Sequence, residues 1–97
     1  MLHIINKSPF MNSALEDCMG YLGSEDIVLL IEDGVYAAAA GTVKSGLIEK
    51  LLEQNEVYAL QADIKARGLE QLIKKVKITD YEGFVDLIEQ HTPQSWL

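Results

Sequence analysis

Five consecutive apolar residues, Ile27-Val28-Leu29-Leu30-Ile31, stop abruptly at Glu32-Asp33-Gly34. The run has no polar alternation and is rich in β-branched side chains. A strand with one wet face alternates apolar and polar residues, whereas an unbroken run needs cover on both faces. Such a strand belongs inside a parallel sheet with helices above and below. The charged residues and glycine that end it mark a turn at its carboxyl end.

The flanking sequence supplies the rest of that layered pattern. Leu2–Ile5 is a short apolar segment, closed by Lys7-Ser8-Pro9, where proline forbids a central strand. Ser13 and Glu16 have capping-box spacing, and the helix they open aligns Leu15, Cys18, Met19 and Leu22 before Gly23 stops it. Val35–Ala40 is alanine-rich and favours helix. After Gly41-Thr42 a second amphipathic helix carries Leu47, Ile48, Leu51 and Leu52, with Gly46 weakening its start. Val57–Leu60 forms a third strand, and a short helical turn over Asp63–Arg67 stops at Gly68. Val76–Thr79 is the fourth strand. Thr79 and Glu82 repeat the capping-box spacing for a helix burying Tyr81, Phe84, Val85 and Ile88. Thr92-Pro93 ends that helix and leaves the tail 94–97. Strand and helix alternate at βαβ spacing, which predicts one α/β domain over 1–97. Its sheet is small, mainly parallel, of about four to five strands, with helices on both faces.

With 97 residues, of which 48% are apolar, the chain can fill a small core and keep apolar side chains for an interface. Fifteen acids against eight bases give a formal charge of −7, so direct nucleic-acid binding is not expected. Five of those bases fall within 65–77, a solvated edge or a docking patch. Cys18 is the one cysteine, so no intrachain disulfide can form, which suits a reducing compartment. No basic leader or membrane-length apolar run is present, and a cytoplasmic protein with no membrane partner is expected.

Ligands of open α/β sheets gather at the carboxyl ends of the strands. Those ends are polar and acidic here: Asn6-Lys7-Ser8-Pro9, Glu32-Asp33-Gly34, Gln61-Ala62-Asp63 and Thr79-Asp80. Neither a G-x-G-x-x-G fingerprint nor a phosphate loop occurs, so a nucleotide cofactor is not expected. A phosphorylation receiver would need an acidic cluster where Asn6-Lys7-Ser8 stands. Glu32 and Asp33 could act as an acid/base pair or hold a cation, but Asp33 also suits a helix cap. His3 and His91 match no metal-ligand spacing, and no metal is expected. Cys18 is the only strong nucleophile. It sits beside Glu16 and Asp17, which oppose a thiolate, and on an apolar stripe that favours a packed thiol. Trp96 has a large apolar body, so it folds back on its own chain or anchors a neighbour.

Taken together these segments resemble the TusB/DsrH family of sulfur-relay proteins. The resemblance is carried by Leu2-His3 with Lys7-Ser8-Pro9-Phe10, and by Leu29-Leu30-Ile31-Glu32-Asp33-Gly34-Val35-Tyr36-Ala37-Ala38. Tyr58-Ala59-Leu60 with Asp63 and Ala66-Arg67-Gly68, Asp80-Tyr81 with Phe84-Val85-Asp86-Leu87, and Trp96 complete it. It implies a DsrE/DsrF-like fold and a cytoplasmic heterohexamer with two paralogous small subunits, one TusC/DsrF-like and one TusD/DsrE-like. In that complex sulfur travels as a cysteine persulfide to a downstream acceptor protein. It serves wobble-uridine 2-thiolation of tRNA in one branch and dissimilatory sulfur oxidation in the other. The established carrier cysteine belongs to the TusD/DsrE-type subunit, which makes this chain a non-catalytic or accessory subunit. Cys18 aligns with a first-helix cysteine of DsrH-type members that some TusB-type members lack, which leans toward the DsrH-like side, and it is the candidate carrier here. Trp96, Tyr36 and Arg67 are the candidate interface residues.

Three readings therefore compete: an interaction subunit, a direct sulfur carrier through Cys18, and a stand-alone homo-oligomer binding a small ligand at the acidic rim. Two co-purifying small subunits would favour the first, and an accessible thiol the second. A soluble assembly without foreign subunits would favour the third.

Overall fold

The computed structural model describes residues 1–96. Five parallel strands form its sheet in the order β4-β3-β2-β1-β5. They are β1 (Leu2–Ile5), β2 (Ile27–Leu30), β3 (Glu56–Leu60), β4 (Lys77–Thr79) and β5 (Pro93–Trp96). The helices are α1 (Ala14–Met19), α2 (Ser45–Leu51), α3 (Gln61–Ala66) and α4 (Tyr81–Gln90), with a 3₁₀ segment over Glu32–Ala38. As the unbroken run requires, β2 is buried along its whole length and lies at the centre of the sheet.

Strand alternation divides the apolar side chains between two faces. Ile5, Val28, Leu30, Val57 and Ala59 meet Leu15, Cys18, Ile48, Leu51 and Ile64 from α1, α2 and α3. On the opposite face Leu2, Ile27 and Leu29 meet α4 through Leu87, with Phe84 and Ile88 packed beside it. Topology explains the asymmetry. The first four strands are laid down in order, so their crossovers stack on one face. The last crossover runs back past β1 to reach β5, and α4 alone serves the other face.

The local differences from the sequence expectations have identifiable causes. The tail is a fifth strand: Pro93 opens it, where a missing N–H is tolerated, and β5 pairs with β1. Leu97 lies outside the described residues. Helix α1 ends at Gly20, short of Gly23, yet Leu22 still packs partly on the core. Its first turn is capped by Asn12, whose Oδ1 accepts the Ala14 N–H at 2.7 Å, while Ser13 Oγ donates to Asp17. Likewise α4 is capped by Asp80, whose Oδ1 accepts the Gly83 N–H at 2.8 Å, and not by Thr79. Tyr81 and Val85, expected in the core, are exposed, because packing selects the Phe84, Leu87 and Ile88 stripe.

The alanine-rich segment winds as a 3₁₀ helix for a steric and a pairing reason. Gly34 presses on the carbonyl of Ile5 so closely that a Cβ would collide with it. At the other end Ala39 is extended and bridges Leu72, with Ala40 N–H donating to Gln71 O and Ile73 N–H to Ala38 O, both at 2.9 Å.

Candidate functional site

The expected site residues fall into two separate groups. The first lies at the carboxyl ends of β2 and β3. Glu32 leaves β2 with a φ of 48°, a left-handed conformation that costs a non-glycine residue energy. Its N–H donates to Asp63 Oδ2 at 2.7 Å, and that bond holds the turn. Arg67 completes the arrangement: its Nε donates to Asp33 Oδ1 at 2.9 Å and its Nη1 to the Asp63 carbonyl at 3.2 Å. Asp33 is therefore not a helix cap, and Ile31 occupies that position. Asp33 and Asp63 are thereby tied to the chain's own arginine and backbone, while the exposed Glu32 carboxylate makes no hydrogen bond or ion pair among the described residues. Among the described residues no group of three or more His, Cys, Asp or Glu is placed to hold a metal ion. Tyr36 is partly exposed on the 3₁₀ segment.

The second group surrounds the start of β1. His3 projects onto the same face as α1 and is buried. Its Nε2 lies 2.9 Å from Asp26 Oδ2, just before β2 begins, and its Nδ1 lies 3.1 Å from the indole nitrogen of Trp96. An indole N–H only donates, so Nδ1 must be the unprotonated nitrogen and Nε2–H must point at Asp26. Both ring nitrogens are thereby engaged, leaving no lone pair to serve as a general base. Asp26 also accepts from the Gly23 N–H and from the amino group of Met1, each at 3.0 Å. These donors, led by the Gly23 N–H and His3, hold its carboxyl well below the usual carboxylate range. Tyr21 lies over the outside of Trp96, with ring centroids 5.7 Å apart. A cavity of about 460 Å³ is lined by these side chains with Gln94.

Cys18 is buried without exposed surface in the same face of the core as Trp96. Burial first, and the charge of Asp26 second, push its thiol up from 9.0 to about 12. The acidic residue that opposes ionisation is thus Asp26, eight positions along, and not Glu16 or Asp17. At neutral pH the group is a protonated, enclosed thiol. Trp96 folds back on its own chain, joining β5 to β1 and α1. Part of the basic stretch is engaged by the chain itself: Arg67 serves the rim, and the exposed Lys77 pairs with Glu56 beside the Tyr58 ring.

Sequence reasoning missed His3 and Asp26 as partners. Either residue is ordinary in isolation, a histidine in a strand and an aspartate in a turn. Only the strand register brings them together with Trp96. At the end of β1, Asn6 Oδ1 is buried without a hydrogen-bond partner among the described residues, and exposed Phe10 and Met11 follow.

The family model described as "DsrH like protein" matches residues 7–94. Protein TusB of Enterobacter sp. (strain 638) is 39% identical over 100 residues, covering 99% of this chain and all of the relative. Protein TusB of Pectobacterium parmentieri is 35% identical over 96 residues, 97% of each chain. Among solved structures, the ychN protein from E. coli superposes with a TM-score of 0.80 at 17% identity, covering 97% of each chain. MTH1491 from Methanobacterium thermoautotrophicum, a protein of unknown function, gives 0.68 at 18% identity, covering 97% of this chain and 95% of that one. At those identities the structural likeness establishes the fold and nothing further.

Proposed function

Because the chain belongs to the TusB/DsrH family, we propose that it is an accessory subunit of a cytoplasmic sulfur-relay complex, assembled with two paralogous small subunits. The observation that carries the accessory role is the state of Cys18. In persulfide transfer an acceptor thiolate attacks the outer sulfur of the donor. The donor's S–S bond breaks, a new one forms, and the donor cysteine leaves as thiolate. An acceptor must therefore be ionised and reachable. Cys18 is neither, being fully buried with its thiol at about 12.

What the chain does offer is surface. Its core is filled, yet Phe10, Met11, Tyr21, Val43, Ile78 and Tyr81 remain exposed. Large apolar side chains outside a complete core suit protein contacts. Trp96 and Tyr36 are partly exposed and fit the margin of such contacts, whereas Arg67 supports them by shaping the rim. The complex would deliver sulfur toward the wobble uridine of tRNA or serve sulfur oxidation. Of these the tRNA branch is the one we favour, since the curated relatives carry the name TusB.

The test is genetic and chemical. Cells lacking this chain should lose 2-thiouridine from wobble positions, read by mass spectrometry of digested tRNA. Wild type and Cys18→Ala should both restore it. Unchanged thiolation in the deletion strain would refute the tRNA branch. Rescue by wild type but not by Cys18→Ala would establish the direct-carrier reading instead.

A further inference from the structure

A groove of about 480 Å³ lies between α2 and the segment 72–75, away from both groups described above. Its floor is apolar, formed by Ala40, Leu52, Leu72 and Ile73. The far bank is held firmly, since Ala38–Ala40 and Gln71–Ile73 form a small antiparallel ribbon. The two banks carry opposite charge. Glu49 and Glu53, four residues apart, line the α2 side, and Lys74 and Lys75 line the other. All four are exposed, and none makes an ion pair among the described residues. The turn leading into α2 places Val43, 90% exposed, between the lining residues Gly41 and Ser45.

An apolar floor between unneutralised banks of opposite sign is complementary to itself. If two copies meet face to face about a two-fold axis running along the groove, each glutamate bank faces the other copy's lysine bank. An axis across the groove would set like charges opposite each other, which is strongly unfavourable. The same arrangement brings two exposed valines toward an interface with an apolar centre, where their burial is favourable. We infer that this groove is an isologous contact surface through which two copies of the chain pair. The contact is a property of the chain by itself and stands apart from the sulfur-relay reading.

Charge-swap complementation on the purified full-length chain tests it. Wild type should show a concentration-dependent dimer by sedimentation velocity. Glu49→Lys with Glu53→Lys, and separately Lys74→Glu with Lys75→Glu, should each weaken self-association by about 100-fold or more. All four positions are exposed, so both variants should keep the wild-type circular dichroism spectrum. Mixed in equal amounts, the two variants should associate again, because only the mixed pair restores opposite charges. A wild type that stays monomeric throughout the dilution series would overturn the inference. So would a dimer indifferent to both variants, which would place the contact elsewhere. Groove variants that lose a foreign subunit while the wild type remains monomeric would assign the groove to that partner and equally overturn it.

Discussion

Cys18 and Asp26 respond to pH in opposite directions, and each leaves its own mark on stability. The Cys18 thiol ionises near 9.0 in an unfolded chain and only at about 12 in the folded one. Its contribution is therefore fully present below pH 9 and is lost as pH rises toward the folded value, by about 1.4 kcal/mol per unit. Urea midpoints of wild type should fall more steeply between pH 9 and 10.5 than those of Cys18→Ala. Equal slopes would show that the thiol is not enclosed. Asp26 has a depressed pKa, so its contribution is present above the ordinary carboxylate range and fades as pH falls below it. Asp26→Asn should cost about 2–3 kcal/mol at pH 7, where a charged acceptor of several hydrogen bonds is removed. The difference from wild type should shrink in acid, as urea titrations at pH 7 and pH 3 can measure.

Among the elements, the turn after β2 is the least forgiving. Gly34 lies against the Ile5 carbonyl, and backbone on both sides prevents relief. Gly34→Ala should destabilise by about 3 kcal/mol or more, visible as a lowered unfolding midpoint. The edge strands should behave differently from the centre. β4 has three residues, and β5 has one neighbour and opens on Pro93. Amide exchange should be slowest in β2 and fastest, among strands, in β4 and β5. Comparable protection in β5 and β2 would contradict the sheet order. These elements also show what the sequence could reveal. β1 to β3 announce themselves as apolar runs and β4 as a short β-branched stretch, and β2 alone demanded a parallel, doubly covered sheet. β5 does not, because Pro93-Gln94-Ser95-Trp96 contains a single large apolar side chain and its pairing is through backbone groups. In α4 the apolar positions exceed one face, and only tertiary packing chooses Phe84 and Leu87 over Tyr81 and Val85. Burial of Cys18 was legible from its stripe. The link from His3 to Asp26 and Trp96, across 23 and 93 residues, was not.

For the molecule as a whole, charge and surface point the same way. A formal charge of −7 opposes docking on nucleic acid, so contact with tRNA would pass through another protein. No helix among the described residues is long and apolar enough to cross a membrane. Asp33 and Asp63 at the rim are occupied by Arg67 and backbone, the histidine of the strand-start group has no free nitrogen, and the thiol is enclosed. What remains outward is apolar contact surface on a DsrH-family fold. Exposed apolar surface is what the proposed subunit role requires, and that role is open to direct observation. Native mass spectrometry of the protein recovered from its own cells should show it with two other small α/β subunits in equal ratio. Recovery of the chain alone, or only with further copies of itself, would contradict its assignment as a relay subunit.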